Sequence, residues 1–200
     1  MIEPIFIEVL KIKDGEFVNP QPHMERIFRT TKLFFDKPLT VQLTNDMIPV
    51  DLRKGLVKCR IVYGKTINSM DFELYTMRTI KSLCIVENDT IDYSYKYHNR
   101  EVINNLFAQR NDCDDILIVK NSLITDTSFT NVVFKDSAGG LYTPTSALLS
   151  GTKRQKLLDS GIIKEKEIHI DEIKSFEGLY LINAMIDIED NIFINVDCIK

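Results

Sequence analysis

The 200-residue chain has no tryptophan, 8 glycines, 6 prolines and 4 cysteines, and no apolar run near the ~20 residues needed to cross a bilayer. Each scarcity removes a class. So little glycine and proline, without a period, excludes collagen-like and low-complexity chains. Cys59, Cys84, Cys113 and Cys198 are widely spaced with no CxxC pair, which excludes a disulfide-stapled scaffold; they read as reduced thiols of a cytoplasmic protein. His23, His98 and His169 do not stand at zinc-ligand spacing from those cysteines, so no metal site is expected. A net charge of -4, with both signs mixed along the chain, leaves no basic footprint for nucleic acid. The opening Met1-Ile2-Glu3-Pro4 lacks the basic and apolar regions of a leader peptide. What is left, 44% hydrophobic and 27% charged, is an ordinary globular composition, long enough for one large domain or two small ones.

Periodicity places the elements. Residues 5–13 alternate and are rich in Ile, Phe and Val, which predicts a strand. Asp14-Gly15 is a two-residue hairpin signal, with the return beginning at Glu16. Pro20 and Pro22 break the sheet, and Ile27, Leu33 and Phe34 suit an amphipathic helix over residues 23–35 that Lys37-Pro38 ends. A short helix capped by Gly55 is predicted next, then strands at 57–63, 72–78 and 83–87. The cluster Glu87-Asn88-Asp89 is the best linker candidate. These signals predict two domains: an α+β unit with a small antiparallel sheet over residues 1–88, and a strand-rich unit over 89–200. In the second, a helix is expected at 100–110 and hairpins around Asn121-Ser122 and around residues 137–140. A helix at 152–159 with Gly161 just past its end follows, then strands at 168–170, 179–182 and 192–196.

Three features carry chemistry by their order. Lys96 precedes a helix, Asp126 follows a β-rich run, and Gly151-Thr152 opens another helix. A lysine can form a Schiff base, a carboxylate can hold a pyridine nitrogen, and a helix start can hold a phosphate: the parts of a pyridoxal-phosphate site. Arg26 is a candidate guanidinium clamp on that phosphate. Each has a plain structural alternative. Lys96 taken alone is a surface lysine, Asp126 a turn residue, Ser150 or Thr152 a helix cap, and Arg26 part of a solvated face beside Glu25 and Arg29.

The same residues resemble the class IV aminotransferase family, the fold-type-IV pyridoxal-phosphate enzymes. Residues 8–15 look like the family's Phe-Glu-Thr opening strand without its threonine, and His23-Met24-Glu25-Arg26 looks like its His-x-x-Arg helix. Lys96-Tyr97-His98-Asn99-Arg100 looks like its Lys-x-x-Asn-Arg element, and Asp114-Asp115-Ile116-Leu117 like its Asp-Glu-x-Leu strand. Ile124-Thr125-Asp126, Asn131-Val132-Val133-Phe134, Thr143-Pro144, the run from Leu149 to Arg154 and Asn183-Ala184-Met185 follow in family order. One departure is plain: Asp126 stands where the family usually has glutamate, one methylene longer.

The resemblance implies an α+β, two-domain fold like that of D-amino-acid aminotransferase, and pyridoxal 5'-phosphate as cofactor. It implies Lys96 as the Schiff-base lysine, Arg26 on the phosphate with Gly151 and Thr152, and Asp126 on the pyridine nitrogen. It also implies a homodimer acting on a small-molecule amine, with no membrane or nucleic-acid partner. Arg60, His98 and Asn183 are weaker candidates for substrate contact. The Asn183 segment looks closer to 4-amino-4-deoxychorismate lyase than to branched-chain aminotransferases, so a lyase releasing 4-aminobenzoate and pyruvate ranks first. An aminotransferase of a small amino acid ranks second, and a non-catalytic binding relative third.

Overall fold

In the computed structural model, residues 3–200 are described; part of the opening read above, Met1 and Ile2, lies outside them. The chain forms two compact units. The first holds the residues through Met77 together with Tyr95–Asn99; the second holds Arg78–Ser94 and Arg100–Lys200.

In the first unit a four-stranded antiparallel sheet has the order β2-β1-β3-β4. Its strands are β1 (Phe6–Lys13), β2 (Glu16–Phe17), β3 (Leu56–Tyr63) and β4 (Ile67–Leu74). The β1–β2 turn is Asp14-Gly15 with φ of 49° and 84°, the doubly left-handed geometry that matches the twist of paired strands. Helix α1 (Gln21–Phe35) accepts Pro22 in its first turn, where the missing N–H costs nothing, and ends on a left-handed Asp36. Its buried residues are His23, Ile27, Thr30 and Thr31, with Phe34 packed on the same core. Leu33 is exposed instead, because roughly 100° per residue carries it away from the Ile27 face. Burial of a side chain such as Ile27 is worth about 1.5–3 kcal/mol. The predicted helix before Gly55 is two short 3-10 turns, Asn45–Met47 and Val50–Leu52, and the strand expected at 72–78 lies earlier, at β4. Burial, reinforced by Asp71, pushes the Cys59 thiol up to about 12, so Cys59 packs rather than reacts.

Two sheets build the second unit. One has the order β5-β6-β7, from β5 (Leu83–Glu87), β6 (Asp115–Lys120) and β7 (Leu123–Thr127). The other has the order β10-β9-β8-β11-β12, from β8 (Asn131–Lys135), β9 (Leu141–Pro144), β10 (Lys164–Lys166), β11 (Gly178–Ile182) and β12 (Phe193–Asn195). Pairs β5–β6 and β9–β10 are parallel. Helices α2 (Glu101–Phe107) and α3 (Thr152–Asp159) complete it, and both expected hairpins form. The core includes Leu83, Leu117, Ile124, Phe134, Leu179 and Ile194.

Three expectations are corrected. The boundary at 88/89 is replaced by three crossings, after Met77, Ser94 and Asn99. Strand β5 leaves the first sheet because its backbone pairs with β6, from Leu83↔Asp115 to Glu87↔Val119. The strand expected at 168–170 is a single bridge at His169 followed by a 3-10 turn, and β10 lies in the charged run before it.

Candidate active site

Lys96 belongs to the first unit, not to the C-terminal domain in which the sequence pattern placed it. Backbone bonds hold its segment along β1: Ile7 donates to the Lys96 carbonyl at 2.9 Å and His98 donates to Ile5 at 2.8 Å. Aromatic contacts fix both flanks. The Tyr97 ring stacks on Phe6 at 5.3 Å, and Tyr95 meets Phe34 edge-on at 4.8 Å. Such pairs add about 0.5–1.5 kcal/mol each beyond burial. Lys96 itself is half-buried, and His98 is exposed.

On the core face of β1, Glu8 interrupts the apolar series Phe6, Leu10 and Ile12, and it is fully buried. α1 brings it two partners. Arg26 donates from Nε to Oε1 at 2.6 Å and from Nη2 to Oε2 at 2.7 Å, a bidentate fork, and His23 Nδ1 lies 2.7 Å from Oε2. Burial pushes the Glu8 carboxyl up, but the Arg26 charge and hydrogen bonds, with His23, outweigh it and hold the group at about 2. Arg26 is therefore not the solvated-face residue of the plain reading; it anchors a buried acid. Arg60 lies on β3, directly across from Asp71 of β4.

The second unit gathers the acid and the helix start. Asp126, on β7, is buried. The turn that follows is closed by Thr127, whose hydroxyl accepts from the Thr130 N–H at 3.1 Å, so Asp126 is not the turn-capping residue. Its carboxylate instead accepts from Asn131 Nδ2 at 2.7 Å on Oδ1 and from the Leu149 N–H at 3.0 Å on Oδ2. Burial pushes its pKa up to about 6; the Asn131 and Leu149 bonds and the Arg154 charge oppose this without cancelling it.

Gly151 is the cap of α3 in extended conformation and offers no side chain to its first turn. A Cβ there would lie 1.9 Å from Asn131 Oδ1, so glycine is required by close approach. Arg154 ties α3 to its neighbours, donating to Thr143 Oγ1 at 3.2 Å, the Pro144 carbonyl at 2.9 Å and Glu165 Oε1 at 2.6 Å. This gives the Thr143-Pro144 motif its role. Lys153 pairs with Asp187.

Residues 6–189 match the class IV amino-transferase family. The chain belongs to that family. An uncharacterized protein of Haemophilus influenzae is 37% identical over 186 residues, covering 91% of this chain and 97% of that protein. A Haemophilus somnus structure, provisionally assigned as a 4-amino-4-deoxychorismate lyase, aligns at a TM-score of 0.80. It is 30% identical and covers 92% of this chain and 98% of its own. A hypothetical aminotransferase from Mycobacterium tuberculosis, solved in its PLP-bound form, shares the fold at a TM-score of 0.74 and 16% identity. That alignment covers 91% of this chain and 78% of the other. The class IV fold expected from the motifs, α+β in two units, is the fold observed.

Of the expected site residues, the structure brings Asp126 and Gly151 together through Asn131, and places Arg26 and Lys96 on elements that flank β1. Asn183 is committed to backbone: Oδ1 accepts from Met185 and Ile186 at 2.8 and 3.0 Å, and Nδ2 donates to Phe129 at 3.3 Å. That is the geometry of a turn. Glu8 and Asn131 were missed as site residues. Glu8 had a legible signal, a charge at a core-facing position of an alternating strand.

Proposed function

We propose that this class IV protein is a pyridoxal-phosphate-dependent lyase that converts 4-amino-4-deoxychorismate to 4-aminobenzoate and pyruvate, a folate-precursor step. The observation that carries the lyase reading is the 30% identity, over 92% of this chain, to the provisionally assigned Haemophilus somnus lyase. The side chains present fit a phosphorylated pyridine aldehyde: an amine at Lys96, a guanidinium at Arg26, a glycine-capped helix start and a buried acid at Asp126. Pyridoxal phosphate, when bound, supplies an electron sink for the carbon bearing the substrate amine.

The residues then take these roles. Lys96 Nζ would anchor the cofactor, and as a free amine it would take the proton from the substrate ring as general base. Arg26 and the Gly151-Thr152 start of α3 are the groups that would hold the phosphate. Asp126 would face the pyridine nitrogen and keep it protonated. Arg60 and His98 are the candidates for the substrate carboxylates. The proposal includes the homodimeric assembly of the family, which sedimentation tests.

The deciding assay supplies 4-amino-4-deoxychorismate without any 2-oxo acid. Pyruvate and 4-aminobenzoate should appear in equal amounts. Turnover that requires a 2-oxo acid and releases no pyruvate would assign an aminotransferase instead. Lys96→Ala should lower the rate by about 10³-fold or more and abolish the imine absorbance, with the urea midpoint unchanged. Parental spectra in that variant would remove Lys96 from the role.

A further inference from the structure

We infer that Asn131 is a positioning residue: its amide cross-links the Asp126 carboxylate to the segment entering α3, so that the ring-nitrogen acid and the phosphate-binding helix start are held as one piece. The inference rests on the cofactor reading above.

Asn131 is the first residue of β8 and is buried. Its Nδ2 carries two N–H groups, and both are used, one to Asp126 Oδ1 at 2.7 Å and one to the Leu149 carbonyl at 2.9 Å. The Leu149 N–H returns to Asp126 Oδ2 at 3.0 Å. Carboxylate, amide and peptide thus close a ring of three hydrogen bonds, with each carboxylate oxygen bound to a different donor. The other end of the amide is fixed too, since Asn131 Oδ1 occupies the space beside the Gly151 backbone that a Cβ would fill. The backbone at Gly151, φ -69° and ψ 140°, is open to any residue; only the Asn131 oxygen demands glycine there. The acid at this position is an aspartate, and it cannot swing without breaking its bonds to Asn131 and Leu149.

Acidity follows from the same contacts. Against the burial that raises Asp126, the Asn131 bond is the largest opposing effect, ahead of the Leu149 N–H. Arg154 on α3 is the charged group facing Asp126, and the Leu148 N–H adds a smaller contribution. A variant without the Asn131 donors therefore leaves a more weakly acidic Asp126.

The test uses the full chain and carboxyl-resolved NMR. In the parent, the Asn131 side-chain amide resonances should titrate with the Asp126 carboxyl, at one shared midpoint. Amide signals that stay flat from pH 4 to 8 would overturn the inference without any variant. Asn131→Ala should raise the proton affinity of Asp126 about tenfold, and Asn131→Asp, isosteric but without donors, should raise it further. An unchanged midpoint in a folded variant would also overturn it. A second arm compares binding of pyridoxal 5'-phosphate with its 1-deaza analogue, in which carbon replaces the ring nitrogen. The parent's preference for the nitrogen form should shrink at least threefold in Asn131→Ala. A preference that persists while the midpoint moves would refute positioning toward the ring. A parent that binds neither compound would sink the cofactor reading, and the inference with it, while the NMR arm still reports on the hydrogen-bond ring alone.

Discussion

Glu8 in the first unit and Asp126 in the second are both acids nearly sealed from water, yet they fall on opposite sides of the ordinary carboxylate range. Burial is the largest single influence on each and pushes both upward. Glu8 still ends at about 2, because a guanidinium forks both its oxygens and His23 adds to it. Asp126 ends at about 6, because the donors in contact with it, Asn131 and Leu149, are neutral. Depth alone does not decide a carboxyl's charge; a directly bonded cation does. The first arrangement makes a permanent ion pair suited to fixing a helix on a sheet. The second makes an acid whose proton comes and goes near pH 6.

The comparison can be broken most forcefully at Arg26. Arg26→Ala leaves Glu8 buried without its cation and should cost about 3–5 kcal/mol in urea unfolding. A loss under 1 kcal/mol would mean that Glu8 is protonated already, and the contrast with Asp126 would vanish.

Stability against pH sharpens it next. Between about 2 and 4.5 the folded Glu8 has lost its proton while the unfolded one keeps it, so stability rises with pH, by about 3 kcal/mol over that window. Between 3.8 and about 6 the folded Asp126 keeps a proton the unfolded one has lost, so stability falls by a similar amount, about 3 kcal/mol. Urea midpoints across pH 2.5–7 should show Glu8→Gln lacking the rising limb and Asp126→Asn lacking the falling one. The same limbs in parent and variants would refute both assignments.

Gly151→Ala is a smaller perturbation. Its new methyl meets Asn131 Oδ1 and forces that amide to move, which should cost about 1–3 kcal/mol and weaken inorganic phosphate binding. Parental values for both would show that α3 shifts freely.

The smallest effect is expected at the surface. Lys65 and Glu3 form an ion pair with side chains 58% and 57% exposed. Lys65→Ala should change stability by no more than about 1 kcal/mol, against several for the buried pair. A larger loss would mean that burial is not what separates the two pairs.

Much of this was legible before the structure. The Asp14-Gly15 turn, the helix over 152–159 with Gly161 beyond it, and the hairpin at Asn121-Ser122 depend on backbone preferences within a few residues. The ordered series from Lys96 to Arg154 pointed to the family for a similar reason, since motif order is a property of the chain. Strand β10 was not legible, because Lys164–Lys166 carries no apolar alternation; its pairing with β9 alone makes it a strand. Leu33 is apolar, but its place on the turn of α1 carries it off the face that buries Ile27.

By itself the sequence determined where the Asp14-Gly15 and Asn121-Ser122 turns fall, that α1 and α3 are helical, and which residue types arrive in which order. Tertiary structure alone decided that β5 pairs with β6, that the Lys96 segment lies along β1, and that Glu8 is held at about 2 where Asp126 is pushed up to about 6. The physical reason is range. A turn is set by its own dihedrals, but an acid takes its charge from partners 18 or 23 positions away in the chain, and only folding brings those within a hydrogen bond's length.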